Sequence, residues 1–336
     1  NLGLKADISY RLYNGGKNKA LIESAYQNYK ASESEIQSTR NNLAYQVIKV
    51  YLLIQQAEKQ YSAHQAEIKS IDAALNVADA RYKAGDMLYE DVLNLELEKV
   101  RAQENVIKSR HSIELLGKTF LNLLGLKEGH VNLTSENLTT QLPQQHGVIN
   151  RAELITISHK INAAEQQIKK IRGGSLPTID AFGSYQYDKG FEMDGDGSSW
   201  IAGIKIDFVL YQGNKTSADL AKAKAELAQL KRQKKKVELA LNLDTKKALL
   251  EFEQAQERRD VTVKMVEVAK ESARLNRLRF QQGVILSSEL VDVETKYTEA
   301  LVRRAAAETN FNISIANMQR AAGMLPSLFA HADNGE

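Results

Sequence analysis

Residues 199–218 read SWIAGIKIDFVLYQGNKTSA, and the organisation of the chain follows from how this stretch changes character along its length. Trp200, Ala202, Ile204, Ile206, Phe208 and Leu210 fall on one side of an extended backbone, while Gly203, Lys205 and Asp207 fall on the other. After Leu210-Tyr211-Gln212-Gly213 the alternation stops, and residues 214–282 contain neither Gly nor Pro. A strand that feeds directly into a long helix is the predicted unit.

Immediately upstream, Ile179, Ala181, Gly183, Tyr185 and Tyr187 alternate with Asp180, Ser184, Gln186 and Asp188, with Phe182 the exception. Between the two alternating runs, Asp188–Ser199 is polar and rich in Gly. Residues 178–211 are therefore predicted to form a hairpin of two strands of about ten residues, apolar on one face and charged on the other. That is the length and pattern of a membrane-spanning β-strand, with aromatics near the ends. The same alternation also fits one half of an ordinary sheet in a soluble protein. Strands that feed very long helices have no compact core to cover their apolar face, which favours closure into a barrel buried in lipid.

The unit occurs twice. Residues 12–126 recur at a constant offset of 198 without a gap. Leu12-Tyr13-Asn14-Gly15 returns as Leu210-Tyr211-Gln212-Gly213, Arg81 and Gly85 as Arg279 and Gly283, Leu88 as Leu286, and Glu96 as Glu294. Upstream, Gly3-Leu4-Lys5-Ala6-Asp7 matches Gly203-Ile204-Lys205-Ile206-Asp207 at an offset of 200. A duplication this long with no insertion implies regular elements whose lengths are set by packing. The second copy carries a front piece, residues 150–199, that the first copy lacks. By the repeat logic roughly 50 residues, including a helix and a strand, are expected ahead of the first copy.

The predicted order in repeat 1 (residues 1–126) is a partial strand at 2–12, a long helix at 17–80, a turn at 81–87 and a helix at 88–124. Leu43, Val50, Ala57, His64, Ile71 and Ala78 interleave with Val47, Ile54, Tyr61, Ile68, Leu75 and Tyr82, the 3-4 spacing of a left-handed coiled coil. Such a helix is about 95 Å long. Residues 127–149, polar and containing Pro143, are expected to form an irregular connection packed outside the helices. Repeat 2 (150–323) is predicted as a helix at 150–172 capped by Asn150 with Glu153, the hairpin at 178–211, a long helix at 214–279, a turn at 280–285 and a helix at 286–322. Its stripe is noisier, with Thr245, Arg259 and Asn276 in core register. Residues 324–336 are left as a tail. The fold class is mainly α with a small β portion.

Composition removes several classes of function. The 336 residues include no cysteine, which excludes disulfides, thiolate metal sites and cysteine nucleophiles. Lys+Arg 45 against Asp+Glu 42 gives a net charge of +3, too balanced for a dedicated nucleic-acid binder. His64, His111, His130, His146, His159 and His331 show no metal-ligand spacing, and no glycine loop suits a phosphate. No enzyme, metal or cofactor is expected. The basic run Lys231–Lys236 reads as a solvated helix face level with Glu33 and Glu35 of the first copy, which it could pair laterally.

The duplicated hairpin, the strand-to-helix entry Leu-Tyr-x-Gly, the turns Arg81-Tyr82-Lys83-Ala84-Gly85 and Arg279-Phe280-Gln281-Gln282-Gly283, and Ser175-Leu176-Pro177 before a strand together resemble outer-membrane efflux proteins of the TolC type. The resemblance covers nearly the whole chain. It implies a homotrimer in the outer membrane of a Gram-negative bacterium, with a 12-stranded β-barrel over an α-helical barrel that lies in the periplasm. It further implies a passive exit duct for a tripartite efflux pump or type I secretion system. The partners would be a periplasmic adaptor (membrane fusion) protein, an inner-membrane transporter of the RND, MFS or ABC type, and outer-membrane lipid. Lys5, Asp7, Lys205 and Asp207 would then face the barrel lumen. By the same resemblance Glu289 and Asp292, with Asp91 as first-copy counterpart, map to the pore constriction at the closed tip. Arg81, Gly85, Leu88, Arg279, Gly283 and Leu286 map to the hairpin tips that dock the adaptor. The family's polar latch departs here: the positions expected to bond Asp91 hold Phe280 and Ile285. The rival reading is a soluble, elongated coiled-coil scaffold without channel activity, which leaves the alternating strands unexplained.

Overall fold

A computed structural model of the chain describes residues 2–129, 131, 151–189 and 196–325. Most of the expected 127–149 connection, Asn150, the apex of the 178–211 hairpin and nearly all of the C-terminal tail lie outside the described residues. The elements run β1 (Leu2–Tyr13), α1 (Lys17–Ala84), α2 (Tyr89–Leu123), α3 (Ala152–Gly173), β2 (Thr178–Lys189), β3 (Asp196–Asp207), α4 (Lys215–Gln281) and α5 (Ser287–Ala322). The protein is thus mainly α-helical with one small sheet. Among the described residues no helix is long and apolar enough to cross a membrane.

The chain divides into two units, residues 1–38 with 149–240, and residues 39–148 with 241–336. The first holds the antiparallel sheet in the order β1-β2-β3. Its register stacks Ala6, Tyr185 and Trp200 on one face and Lys5 and Gln186 on the other. Between Arg11 and Tyr13 the pairing shifts, so that Tyr13 lies opposite Ile179 and joins the apolar face. Leu4, Ile8, Tyr10, Tyr185, Trp200, Ile204 and Ile206 on that face are all exposed, Trp200 at 78%. Phe182, the break in the alternation, lies on the polar face, and its ring covers Gly203 of the neighbouring strand. β3 ends at Asp207 rather than near Tyr211. Its partner strand β2 starts at Thr178, and Pro177 ahead of it has no N–H to continue the ladder.

Both strand-to-helix turns need two consecutive residues with positive φ: Gly15 and Gly16 (65° and 75°) before α1, Gly213 and Asn214 (60° and 64°) before α4. Asn is among the few side-chain residues that tolerate this region. Gly15 is also pressed against Gly173 at the end of α3, where an added Cβ would meet the Gly173 carbonyl oxygen at 2.4 Å.

α3 runs antiparallel to the start of α1. Ser24 Oγ donates to the Ala163 carbonyl (3.2 Å), His159 Nδ1 meets Gln27 Oε1 (2.8 Å), and Ser38 Oγ donates to Glu153 Oε1 (3.1 Å). The N-cap position of α3 falls on Arg151, not Asn150, and no side chain caps it. Instead the buried Arg151 guanidinium grips Glu153 with two bonds of 3.0 and 2.8 Å. Burial pushes the Glu153 carboxyl up, but Arg151, the local backbone and Ser38 together outweigh it and hold the group below its usual range. A depressed carboxylate stabilises the fold above its unfolded pKa and loses that contribution as pH falls through the folded value. Glu153→Gln should therefore cost about 1–3 kcal/mol at neutral pH, and its deficit in thermal unfolding relative to wild type should shrink as pH falls below about 4. A deficit independent of pH would contradict this account.

In the same unit Glu33, Glu35 and Lys231 of the basic run each have a partner on a helix of this chain. Glu33 accepts from Lys30 (2.8 Å), Glu35 lies 3.6 Å from Lys160, and Lys231 reaches Glu165 of α3 at 3.3 Å. Exposed pairs of this kind contribute little each.

The second unit contains the rest of α1 and α4 with α2 and α5. The coiled-coil stripe of α1 divides: Ile54, Ala57, Ile71 and Ala78 are buried as expected, but Leu43 and Tyr82 are exposed, and Ile48, Leu52 and Ala63 form further contacts. On α4 the buried positions are Leu241, Ala248, Ala255 and Thr262, then Val266, Ala273 and Phe280. This is a strict seven-residue spacing with one step of four. Small residues dominate that seam, which lets helices approach closely. α5 is the most enclosed element, burying Ser287, Leu290, Glu294, Thr298, Ala300 and a further run to Ala321.

Candidate functional site: the paired hairpin tips

Both helical hairpins turn by one device. At the first, the Gly85 N–H donates to the Tyr82 carbonyl (3.0 Å) and the Asp86 N–H to the Arg81 carbonyl (2.9 Å), with Gly85 at φ 81°. At the second, Gly283 donates to Phe280 (3.0 Å) and Val284 to Arg279 (2.9 Å), with Gly283 at φ 79°. This double bond pattern terminates a helix on a left-handed residue. It carries α1 to Ala84 and α4 to Gln281, a few residues beyond the ends predicted from periodicity.

The two turns differ in what surrounds them. Arg81 folds across to the second turn, where Nη1 donates to the Phe280 carbonyl (3.3 Å), while Nη2 donates to the Asp86 carbonyl (3.3 Å). Its guanidinium fills the space beside Gly283, leaving no room for a Cβ there. Arg279, at the equivalent position, is exposed and its side chain makes no described bond. Phe280 is 1% exposed and lies at the centre of a cluster from all four helices: Ala74 and Ala78 of α1, Val92 and Leu95 of α2, and Leu290 of α5.

α2 and α5 both begin at a leucine, Leu88 and Leu286, with extended backbone and no side-chain cap. Leucine is a poor N-cap, because it offers no acceptor to the first free N–H groups. For α5 the acceptor comes from the other hairpin. Asp91 Oδ1 accepts from Ser287 Oγ at 2.5 Å and from the Ser287 N–H at 3.3 Å. Ser287 is fully buried, so this carboxylate satisfies two donors that water cannot reach. The positions expected to bond Asp91 are the apolar Phe280 and Ile285, and its carboxylate bonds Ser287 instead. Nothing in the sequence marks Ser287 as the partner, because at the matching place the first copy has Tyr89 and the repeat pairs Asp91 with Glu289.

Glu289 is exposed with no described partner, whereas Asp292, also exposed, bonds Lys296 one turn on at 2.5 Å. Both stand on the first turns of α5, where the helix dipole favours negative charge. Below them Glu294, buried, receives Arg277 Nε and Nη2 at 2.5 and 2.6 Å, which clasps α4 to α5. Glu294 holds that guanidinium charged above its ordinary value. The first hairpin is clasped elsewhere, by Lys99 and Asp72 at 2.7 Å. At the rim, Leu88, Tyr89, Val284 and Leu286 expose apolar surface, and Tyr82 packs on Tyr89 at 5.3 Å between ring centres.

In the other unit, the four strand residues Lys5, Asp7, Lys205 and Asp207 share the polar face. They pair in place, Lys5 with Asp7 at 3.3 Å and Lys205 with Asp207 at 3.1 Å. Arg11 and Asp180 extend the row at 2.8 Å. Among the described residues no group of three or more acidic or histidine side chains is arranged to hold a metal.

A mainly helical chain with two equivalent helical hairpins and a sheet apolar on one face defines the class. The profile of the family described as outer membrane efflux protein matches residues 2–116 and 147–324, and the chain belongs to that family. It is 22% identical over 231 residues to outer membrane efflux protein BepC of Brucella suis biovar 1 (strain 1330), covering 66% of this chain and 50% of the relative. It is 23% identical over 229 residues to outer membrane protein OprJ of Pseudomonas aeruginosa, covering 64% and 47%. The chain thus spans about half the length of these relatives. Its fold is that of the solved outer-membrane channel OprN, with a TM-score of 0.85 at 18% identity over 94% of this chain and 74% of that one. CusC gives a TM-score of 0.86 at 15% identity over 95% and 77%.

Proposed function

We propose that this protein is the outer-membrane exit duct of a tripartite efflux pump or type I secretion system, and that it works as a homotrimer. The observation that carries the reading is the sheet: its apolar face is uncovered, and only its middle strand is paired on both sides among the described residues. Closing such sheets from several copies into one barrel removes the open edges and gives the apolar face to lipid. Lys5, Asp7, Lys205 and Asp207 then line a water-filled lumen, and the helices continue the conduit into the periplasm. The protein is a passive conduit rather than an enzyme. Energy enters from an inner-membrane transporter through a periplasmic adaptor, which docks on Arg81, Gly85, Leu88, Arg279, Gly283, Leu286 and the exposed apolar rim beside them. Glu289 and Asp292, repeated around a threefold axis, form an acidic constriction that favours cations and that a multivalent cation plugs. Asp91 acts one step back, by holding the tip closed.

The test is single-channel conductance of the full-length, detergent-purified protein in a planar bilayer. Wild type should give a small, cation-selective conductance that a trivalent cation blocks. In Glu289→Ala/Asp292→Ala the block should weaken by at least an order of magnitude, since each lost carboxylate removes a charge from a narrow, poorly screened ring. Unchanged block would move the constriction elsewhere. A soluble elongated particle that never inserts would sink the duct and leave the scaffold.

A further inference from the structure

The end of the sheet where the chain enters and leaves the helices carries a concentration of positive charge that neither the tip nor the lumen uses. Lys17 and Lys19 open α1, Lys169, Lys170 and Arg172 close α3, and Lys215 opens α4. Over residues 14–22, 166–177 and 208–218 there are six cations and no carboxylate.

These segments meet at one level. Tyr13 pairs with Ile179, and Thr178 with Asp207, so all three strands reach the helices at the same end of the sheet. The α3 terminus presses on the β1–α1 turn, with the Lys17 stem against Gly173 and Gly174. Lys19, Lys169, Arg172 and Lys215 are exposed, Lys17 and Lys170 half-buried. Among the described residues none of the six has an ion-pair partner, although many other surface cations of this chain do. The nearest carboxylates on the strands, Asp180 and Asp207, are taken by Arg11 and Lys205. Down the helices the first are Glu23, bonded to Gln27, then Asp219, and Glu165, bonded to Lys231. Beside the cations Tyr13, Leu176, Leu210 and Tyr211 expose apolar and aromatic surface, Leu210 at 86%. Aromatic residues followed by unpaired cations mark the depth at which hydrocarbon gives way to headgroups.

We propose that these six residues form a collar that binds the anionic phosphates of phospholipid headgroups in the leaflet next to the helices. The inference rests on the duct reading, because only strands that span a bilayer place the collar at its surface. Removing the intrachain acids leaves the cations to seek charge outside the protein, and a leaflet containing phosphatidylglycerol supplies it.

The full-length protein is reconstituted in nanodiscs of equal phosphatidylglycerol and phosphatidylcholine, and the lipids it retains are counted by native mass spectrometry. Wild type should retain phosphatidylglycerol about five-fold over phosphatidylcholine, the preference worth one headgroup contact. Replacing all six with Gln should bring the ratio to about one, and Lys19→Gln/Arg172→Gln, the milder change, should lower it part of the way. Neutralising Arg232, Lys234, Lys235 and Lys236 removes charge further along α4 while leaving the Lys231–Glu165 pair in place, and should leave the ratio as in wild type. Equal retention by wild type, or equal loss in that control, overturns the collar. Displacement of the preference by inorganic phosphate would assign the site to free anions and overturn the lipid. Insertion into bilayers of phosphatidylcholine alone separates the two readings. A protein that inserts without preferring anionic lipid loses only the collar, whereas one that never inserts loses the duct.

Discussion

Phe280→Ala should lower the stability of the tip by about 3–5 kcal/mol, the cost of removing a buried phenyl ring and leaving a cavity. The ring is 1% exposed and shares one core cluster with apolar side chains of the other three helices. No other side chain of its size is as fully enclosed among the described residues. Its neighbours Ala74 and Ala78 are too short to collapse into the space. The equivalent residue of the first copy, Tyr82, is 45% exposed and packs only along one side on Tyr89. Tyr82→Ala should therefore cost about 1 kcal/mol or less. Hydrogen exchange of the full-length protein reads the difference locally: Phe280→Ala should speed exchange through residues 74–95 and 277–294, and Tyr82→Ala should leave it close to wild type. Equal effects of the two variants would show that the duplicated hairpins pack alike, contrary to the structure.

That contrast also explains what could be read in advance. Element order was legible because strand alternation, Gly-free helical runs and the constant offset all express backbone requirements, and these are the same in both copies. The positive-φ pair at Gly15-Gly16 and Gly213-Asn214 and the turns at Gly85 and Gly283 are the clearest cases. Burial was less legible, because it depends on which neighbours a helix has. α4 appeared noisy when read in the register of α1. Its real seam, Leu241, Ala248, Ala255, Thr262, Val266, Ala273 and Phe280, contains three alanines and a threonine that carry little hydrophobic contrast. Polar pairing was least legible of all. Arg277 with Glu294 has Asp79 and Glu96 as its first-copy counterparts, two like charges that cannot form the same bridge. The family resemblance and the repeat point to Asp91, but its partner Ser287 is 196 residues away and has Tyr89 as its first-copy counterpart.

Asp91→Ala should open the tip. In the structure one carboxylate oxygen accepts from both the hydroxyl and the N–H of Ser287, the first helical residue of α5. Alanine leaves two buried donors without an acceptor and removes a negative charge from a helix start that has no cap of its own, at a cost of about 1–3 kcal/mol. Water can repay most of that cost only if the two hairpins separate, so the variant favours the separated state. In the proposed duct, with separated hairpins as its open tip, this amounts to about a ten-fold or larger rise in the open fraction. It appears as higher mean conductance and longer openings in a planar bilayer. Ser287→Ala removes the hydroxyl but keeps the backbone donor and should have a smaller effect in the same direction. The double variant should behave like Asp91→Ala alone, because the two residues act through a single contact. Additive effects would place Asp91 and Ser287 in separate interactions, and wild-type conductance in Asp91→Ala would mean that closure depends on the Phe280 cluster and the Arg81 bridge rather than on this carboxylate.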